Sequence, residues 1–226
     1  MDEPPRPEDA TREDLQLTES WSAEGWDIPN PGRLQVALDL LSVACRPGAS
    51  VVDLGCLHGA YTVEFAKLGY QAAGIEARTE NVARCQERAA ESGLPNLRFI
   101  QDDVRNLAAY GSFDAVFCCG LLYHLDEPVK FLQTLGQVTS RLLILQTHFA
   151  LYDDDVNEGR KGIWYDESGP GNPWASWGNR RSFWLIKEAL LDATQDAGFD
   201  LVFELHDHVV DIKGSPSRGM FAAIKV

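Results

Sequence analysis

The chain has 226 residues, 45% hydrophobic and 24% charged, which is the composition of an ordinary globular protein. Its 34 acidic and 20 basic residues give a net charge of −14 at pH 7. That balance argues against nucleic acid as the main partner, because phosphates need a basic surface. No apolar run reaches the ~18 residues that span a bilayer. The acidic, proline-rich start of the chain resembles neither a signal nor a transit peptide, and five cysteines without a Cys-x-x-Cys pair favour reduced thiols. We therefore expect a cytoplasmic protein with no membrane segment.

The predicted elements alternate between helices and strands. Residues 1–15 are expected to be a disordered tail, because they are charged and proline-rich, and residues 16–226 are expected to form one domain. Helical spacing runs from Pro31 to Cys45. Further helices are predicted over 60–68, 79–90 and 127–138, between strands in SVVDLGC, QAAGIEAR, LRFIQDD, FDAVFCCG and RLLILQTHF. This alternation predicts an α/β fold, with a parallel sheet covered by helices on both faces.

The pattern changes after the fifth strand. Residues 150–181 are polar and rich in glycine and aromatic residues, without clear periodicity, so we expect an insert that serves as a lid or acceptor wall. A helix is predicted over 182–197. Two last strands, in FDLVFELHD and MFAAIKV, are expected to form an antiparallel hairpin at the edge of the sheet.

The strongest local signal is the segment Val51–Gly59, VVDLGCLHG, where a strand turns tightly into a helix. Glycine lets the backbone approach a ligand, and the helix N-terminus adds unpaired N–H groups. The next strand ends at Glu76, where an acid can accept hydrogen bonds from both ribose hydroxyls. The spacing Gly-x-x-x-Gly lacks the middle glycine of the dinucleotide fingerprint, which disfavours a dinucleotide-dependent oxidoreductase.

Four segments together resemble the successive motifs of class I S-adenosylmethionine-dependent methyltransferases: VVDLGCLHG, GIEAR, FIQDDVRNL and FDAVFCCGLLYHL. The resemblance covers about residues 33–149, and the last elements of the same fold are expected at 182–226. It implies a Rossmann-like seven-stranded mixed sheet with strand order 3-2-1-4-5-7-6, and S-adenosyl-L-methionine as the cofactor.

The resemblance also implies roles for individual residues. Glu76 should hold the ribose diol, and Asp103 should accept from the adenine amino group. Leu57 stands where the family usually has glycine, so its contact with the cofactor departs from the family pattern. The residues implied to flank the methionine part of the cofactor are Asp53, Gly55, Cys56 and Gly59. The Val104 amide should lie near the adenine, and Gly120 should lie beside the cofactor after strand four.

Acceptors in open α/β sheets bind beyond the carboxyl ends of the strands. That rule places Tyr123 and His124, after strand four, and His148, at the end of strand five, around the reacting centre. His124 and His148 are candidate general bases, although either could only pack or hold the loop. His206 and His208 lack a third ligand, so no metal site is expected.

The insert supplies the other predicted acceptor contacts. Its aromatic residues could hold a planar substrate by stacking or attract the sulfonium: Trp164, Tyr165, Trp174 and Trp177. Its cations could hold a carboxylate or phosphate: Arg160, Lys161, Arg180 and Arg181. Trp21 and Trp26, near the start of the chain, could cap the cofactor or staple the N-terminal segment to the domain.

We expect direct SN2 methyl transfer to a small-molecule acceptor, at oxygen or nitrogen. The LYHL segment also resembles the tRNA wobble-uridine branch of methyl- and carboxymethyl-transferring enzymes, so a tRNA-modifying enzyme is the alternative within enzymes. A non-catalytic protein that binds S-adenosylmethionine is the alternative outside them. The oligomeric state stays open, with a homodimer as one option.

Overall fold

The computed structural model describes residues 27–169, 171–172, 175–205 and 218–226. The expectations for the tail over 1–15, for Trp21, Trp26 and Trp174, and for His206 and His208 fall outside the described residues.

Helices and strands alternate along the first two thirds of the chain, as predicted. The helices are α1 (Pro31–Ala44), α2 (Ala60–Lys67), α3 (Thr79–Ser92), α4 (Pro128–Val138) and α5 (Lys187–Asp196). The strands are β1 (Ser50–Leu54), β2 (Gln71–Glu76), β3 (Leu97–Gln101), β4 (Phe113–Cys119), β5 (Thr139–His148), β6 (Asp155–Asn157), β7 (Arg160–Asp166), β8 (Arg181–Leu185), β9 (Leu201–Glu204) and β10 (Arg218–Ile224). Two 3-10 helices, Val104–Tyr110 and Leu122–His124, follow β3 and β4. None of the helices in these described ranges is long and apolar enough to cross a membrane.

Seven strands form the central sheet in the order β3-β2-β1-β4-β5-β10-β9. The first five are parallel to their neighbours, while β10 runs antiparallel to both β5 and β9. Because β9 and β10 are the sixth and seventh strands of this sheet, the predicted order 3-2-1-4-5-7-6 and the terminal antiparallel pair are confirmed.

Each buried strand contributes side chains to two apolar layers, because successive side chains point to opposite faces of a sheet. On β5, Leu143 and Leu145 join the layer under α4 and α5, while Leu142 and Ile144 join the layer under α1 and α2. Cys118 and Cys119 divide between the two layers in the same way, as expected for neighbours on one strand. Continuous apolar runs are therefore buried on both faces, which is typical of parallel sheets.

The insert differs from its prediction. Residues expected to lack regular structure form a second, three-stranded antiparallel sheet in the order β6-β7-β8. The helix predicted from Ser182 begins only at Lys187, because Ser182 to Leu185 pair with β7 instead. Gly162 lies inside β7, where a Cβ would come within 2.1 Å of the Trp184 carbonyl oxygen. Glycine is thus the residue that this close strand pairing requires.

Candidate active site

The parallel strands bring their carboxyl ends to one edge of the sheet. β1 ends before the glycine turn, β2 ends at Glu76, β4 ends before Gly120, and β5 ends at His148. Ligands of open α/β sheets bind at this edge. The topology therefore collects the predicted cofactor residues and both predicted bases along one rim of the molecule.

The turn after β1 uses left-handed backbone at three positions, Gly55, Leu57 and Gly59, with φ of 66°, 51° and 75°. A Cβ at Gly59 would come within 2.4 Å of the Phe99 ring, so only glycine fits there. Leu57 holds a conformation that L-residues with a side chain rarely adopt. Two contacts fix it: its N–H donates to Glu76 Oε2 at 3.1 Å, and the Cys85 thiol donates to its carbonyl at 3.1 Å.

Glu76 is only 6% exposed, and it ties the turn to the end of β2. Besides the Leu57 amide, its carboxylate accepts the Arg78 N–H at 2.8 Å. Burial raises the pKa of Glu76 above its usual value, against the effect of these two amides. Each carboxylate oxygen has a second lone pair, so both oxygens retain capacity for a further donor such as a hydroxyl.

Asp53 points into the protein. Its carboxyl accepts the Thr62 hydroxyl of α2 at 2.7 Å, and burial raises its pKa to about 7. Asp53 therefore joins β1 to the start of α2, and its predicted place beside the methionine part of the cofactor stays a prediction.

Asp103 caps the 3-10 helix that follows β3. One carboxylate oxygen accepts the Arg105 N–H at 2.9 Å, and the other accepts the Arg105 guanidinium at 2.9 Å. Val104, the first residue of this helix, is buried. Both oxygens of Asp103 are thus already engaged by Arg105, and contact with an adenine amino group stays a prediction.

Four aromatic rings pack around the ends of β4 and β5. The Trp184 ring stacks on His148 at 5.0 Å between centroids and on Tyr165 at 4.7 Å. Tyr123 lies edge-on to His148 at 4.7 Å, and its carbonyl accepts Trp184 Nε1–H at 2.9 Å. Trp184 was not predicted, because the periodicity placed it in a helix rather than in β8.

His124 is paired with an acid from the insert. Its Nδ1 lies 3.0 Å from Glu167 Oε1, and Glu167 Oε2 accepts the Ser176 N–H at 2.9 Å. The Glu167 side chain is 2% exposed. Burial acts to raise its pKa, but the hydrogen bond and charge of His124 outweigh burial and keep the pKa below its usual value. An ionised Glu167 can only accept, so the proton of neutral His124 sits on Nδ1 and Nε2 carries the lone pair.

Two arginines from the cofactor side hold the loop that leads to β8. Arg78 donates to the carbonyls of Asn172 and Ala175 at 3.2 and 2.9 Å and lies 5.5 Å from the Trp177 ring centroid. Arg105 bonds Asn179, whose amide in turn donates to the His124 carbonyl at 2.8 Å. The insert therefore contacts both the predicted cofactor motifs and the predicted acceptor side.

Three of the four predicted cations of the insert form ion pairs with acidic side chains. Arg160 pairs with Asp196, Lys161 pairs with Asp153 at 2.5 Å, and Arg181 pairs with Asp166 at 3.1 Å. Trp164 packs against Phe183 of the core, and Arg181 lies over its ring. Substrate contacts of Trp164, Trp177 and Arg181 stay predictions.

Comparisons with known proteins agree with this geometry. A family model described as a methyltransferase domain matches residues 51–141. The ubiquinone biosynthesis O-methyltransferase of Albidiferax ferrireducens (strain ATCC BAA-621 / DSM 15236 / T118) is 36% identical over 116 residues, covering 49% of this chain and 45% of that protein. The chain thus matches about half the length of such curated relatives.

Solved structures match more of the chain. The N-terminal domain of EvdMO1 with SAH bound is 27% identical, with a TM-score of 0.74 over 90% of this chain and 84% of that one. The same domain in the presence of SAH and D-fucose gives 28% identity and a TM-score of 0.73 over 88% of this chain and 83% of that one. The family model thus shows a methyltransferase domain over residues 51–141. The motif order, the strand order and these matches together support a class I S-adenosylmethionine-dependent methyltransferase.

Proposed function

We propose that the protein binds S-adenosyl-L-methionine and transfers its methyl group to a hydroxyl or amino group of a small molecule. The observation that carries this proposal is the buried Glu76 carboxylate, held by the glycine turn, on the same rim as Tyr123, His124 and His148. The similarity to an SAH-bound domain and to an O-methyltransferase supports it. Oxygen is the favoured acceptor atom, because of those relatives.

The residues of the rim fit the cofactor. The turn from Gly55 to Gly59 brings bare backbone to the end of β1, and Glu76 retains lone pairs for the two ribose hydroxyls. The amide of Val104 and the acid of Asp103 follow β3, and Gly120, with φ of 80°, leaves room at the end of β4. A Cβ at Gly120 would lie within 3.9 Å of the Tyr123 hydroxyl.

When bound, S-adenosylmethionine supplies an electrophilic methyl group on a sulfonium sulfur. The task of the chain is then to align the acceptor, exclude water and remove a proton. His124 is placed for the last task, because Glu167 fixes its Nδ1–H and leaves Nε2 to take the acceptor's hydroxyl proton. The charge of the resulting imidazolium is balanced by Glu167. The rings of Tyr123, Tyr165 and Trp184 form an apolar wall beside this centre.

The cysteines support a reducing compartment, and we propose a cytoplasmic location. All five are free thiols, and four of them are buried. Cys56 and Cys85 lie 3.9 Å apart without a disulfide.

The direct test is titration calorimetry with S-adenosylhomocysteine on wild-type protein and on Glu76→Gln. The variant should bind at least about tenfold more weakly, because a charged acceptor is lost. Glu64→Gln, on the exposed face of α2, is the matched control and should bind like wild type. Thermal melts of all three proteins separate loss of binding from loss of the fold. Equal affinity of wild type and Glu76→Gln would refute the assignment.

A further inference from the structure

Arg78 joins the end of β2 to the loop between β7 and β8. Its backbone N–H donates to Glu76 Oε1 at 2.8 Å. Its guanidinium instead reaches the loop, where Nη2 donates to the Ala175 carbonyl at 2.9 Å and to the Asn172 carbonyl at 3.2 Å. The residue is only 6% exposed. One buried side chain therefore connects the predicted cofactor side of the rim to the insert.

The peptide group between Ala175 and Ser176 is held from both sides. Its carbonyl accepts from the Arg78 guanidinium at 2.9 Å, and its N–H donates to Glu167 Oε2 at 2.9 Å. A trans peptide group is planar, so its carbonyl and its N–H point in opposite directions and turn together. Rotation of this group would break both hydrogen bonds. The guanidinium therefore fixes the direction in which the Ser176 N–H points.

The Glu167 carboxylate depends on that N–H. The Glu167 side chain is 2% exposed, and its second oxygen lies 3.0 Å from His124 Nδ1. A charged donor on one side of a peptide strengthens the hydrogen bond on its other side. Arg78 thus acts on the orientation of Glu167, and through it on the ring of His124, without touching either residue in the described contacts.

The same loop also holds the backbone of His124. The Ser176 hydroxyl donates to Asn179 Oδ1 at 2.8 Å, and the Asn179 amide donates to the His124 carbonyl at 2.8 Å. The Arg78 guanidinium lies 5.5 Å from the Trp177 ring centroid, so it contacts this loop through an aromatic ring as well as through two carbonyls. A displaced loop would therefore disturb both the ring and the main chain of the proposed base.

We propose that Arg78 is a positioning residue for methyl transfer, because its guanidinium holds the peptide that orients Glu167 and so keeps neutral His124 in its Nδ1–H form. The inference rests on the proposed function and deepens it by adding a residue from the cofactor side to the acceptor side. Arginine suits this role, since its planar fork reaches two carbonyls while it lies against a ring, whereas lysine offers only a point charge.

The tautomer of His124 can be measured without an acceptor. The chain has five histidines, and long-range proton–nitrogen NMR of protein labelled with 15N-histidine distinguishes the two neutral forms of each ring. Spectra are recorded with bound S-adenosylhomocysteine at about pH 8, where imidazoles are mostly neutral. Comparison with His124→Gln identifies the His124 signals. We expect the Nδ1–H form in wild-type protein.

Arg78→Gln should lose at least about half of the Nδ1–H signal of His124, because a ring without a fixed partner exchanges between tautomers. Arg78→Lys should lose less, since it keeps a charged donor. The affinity of both variants for S-adenosylhomocysteine should change by less than about threefold, because the backbone N–H that holds Glu76 remains. Arg98→Gln, exposed on the edge strand β3, is the matched control and should resemble wild type in both measurements.

Glu167→Ala tests whether the two residues act in series. It should itself abolish the preference for the Nδ1–H form, and adding Arg78→Gln should then cause no further change in the tautomer. Circular dichroism checks the fold of each variant, and Arg78→Lys carries the test if Arg78→Gln does not fold.

The possible contrary results separate the positioning role from the proposed function. Wild-type protein that does not bind S-adenosylhomocysteine would refute the proposed function, and the positioning role with it. Normal binding with an unchanged His124 tautomer in folded Arg78→Gln and Arg78→Lys would overturn the positioning role alone. A tenfold loss of affinity for S-adenosylhomocysteine with an unchanged tautomer would also overturn it, and would assign the guanidinium to the cofactor instead.

Discussion

Glu167 shows how much of the site depends on single residues brought together by the fold. It lies 43 positions from His124 in the chain, in an insert that the sequence pattern left without regular structure. No local spacing relates the two residues, so sequence alone predicted His124 as a base but not the acid that orients it. Glu76 is the opposite case, because its place at the end of a strand after a glycine turn is visible in the sequence.

Glu167→Gln should lower kcat by about tenfold or more, since the amide can no longer balance the imidazolium formed in the reaction. The KM for S-adenosylmethionine should change less than kcat, because the Glu167 carboxylate contacts His124 and Ser176 and not a predicted cofactor residue. Initial rates with any acceptor that the wild-type protein methylates provide the measurement. Glu167→Asp should recover part of the rate, and a rise in the cofactor KM without a fall in kcat would contradict the orienting role.

Asp53 should make stability depend on pH. Its pKa rises from 3.8 to about 7 on folding, so between these values the folded protein binds more protons than the unfolded chain. Stability contributed by this group is therefore fully present below pH 4 and is lost as the pH rises towards 7, with a slope of up to ~1.4 kcal/mol per pH unit. Urea unfolding of Asp53→Asn between pH 5 and 8 should show a flatter dependence than wild type. Parallel curves for the two proteins would exclude this effect.

At the scale of elements, the parallel strands and their helices were predictable because each signal is local. Apolar runs such as that of β5 indicate buried strands, and glycines such as Gly69 mark where helices end. The second sheet was not predictable in this way. β7 and β8 pair across a loop of 14 residues, and Ser182 to Leu185 contain two aromatic residues whose spacing fits a helix as well as a strand.

Gly162→Ala should destabilise the insert, because its Cβ would meet the Trp184 carbonyl oxygen and the Phe183 ring. Overpacking of this kind costs ~1–3 kcal/mol. Urea denaturation should show that loss, and turnover should fall with it because Trp184 belongs to the proposed acceptor wall. Gly159→Ala, where a Cβ meets nothing within 4 Å, controls for glycine replacement in the same hairpin, although its φ of 76° adds some strain. A larger loss of unfolding free energy for Gly159→Ala than for Gly162→Ala would contradict the packing argument.

At the scale of the whole molecule, charge separates the two enzymatic alternatives. A net charge of −14 disfavours a polyanion such as tRNA as the acceptor. The arginines and lysines proposed from sequence as an anion-binding set are largely paired with surface acids, which a sequence cannot show because the pairing partners are distant in the chain.

We expect no measurable binding of tRNA at 50 mM salt, because phosphate contacts need clustered basic residues and the net charge of the chain is −14. Fluorescence anisotropy of a labelled tRNA with the S-adenosylhomocysteine-saturated protein is the measurement. A complex that forms at low salt and dissociates steeply as salt is added would instead support the tRNA-modifying alternative.

The left-handed Leu57 has a kinetic consequence. Its amide and carbonyl are already held by Glu76 and Cys85, so the loop has its final shape before any nucleoside arrives. Binding of the cofactor therefore costs little conformational entropy, because the loop does not need to become ordered. The association rate should then be limited by diffusional encounter. The dissociation rate should depend on the contacts that form after the encounter.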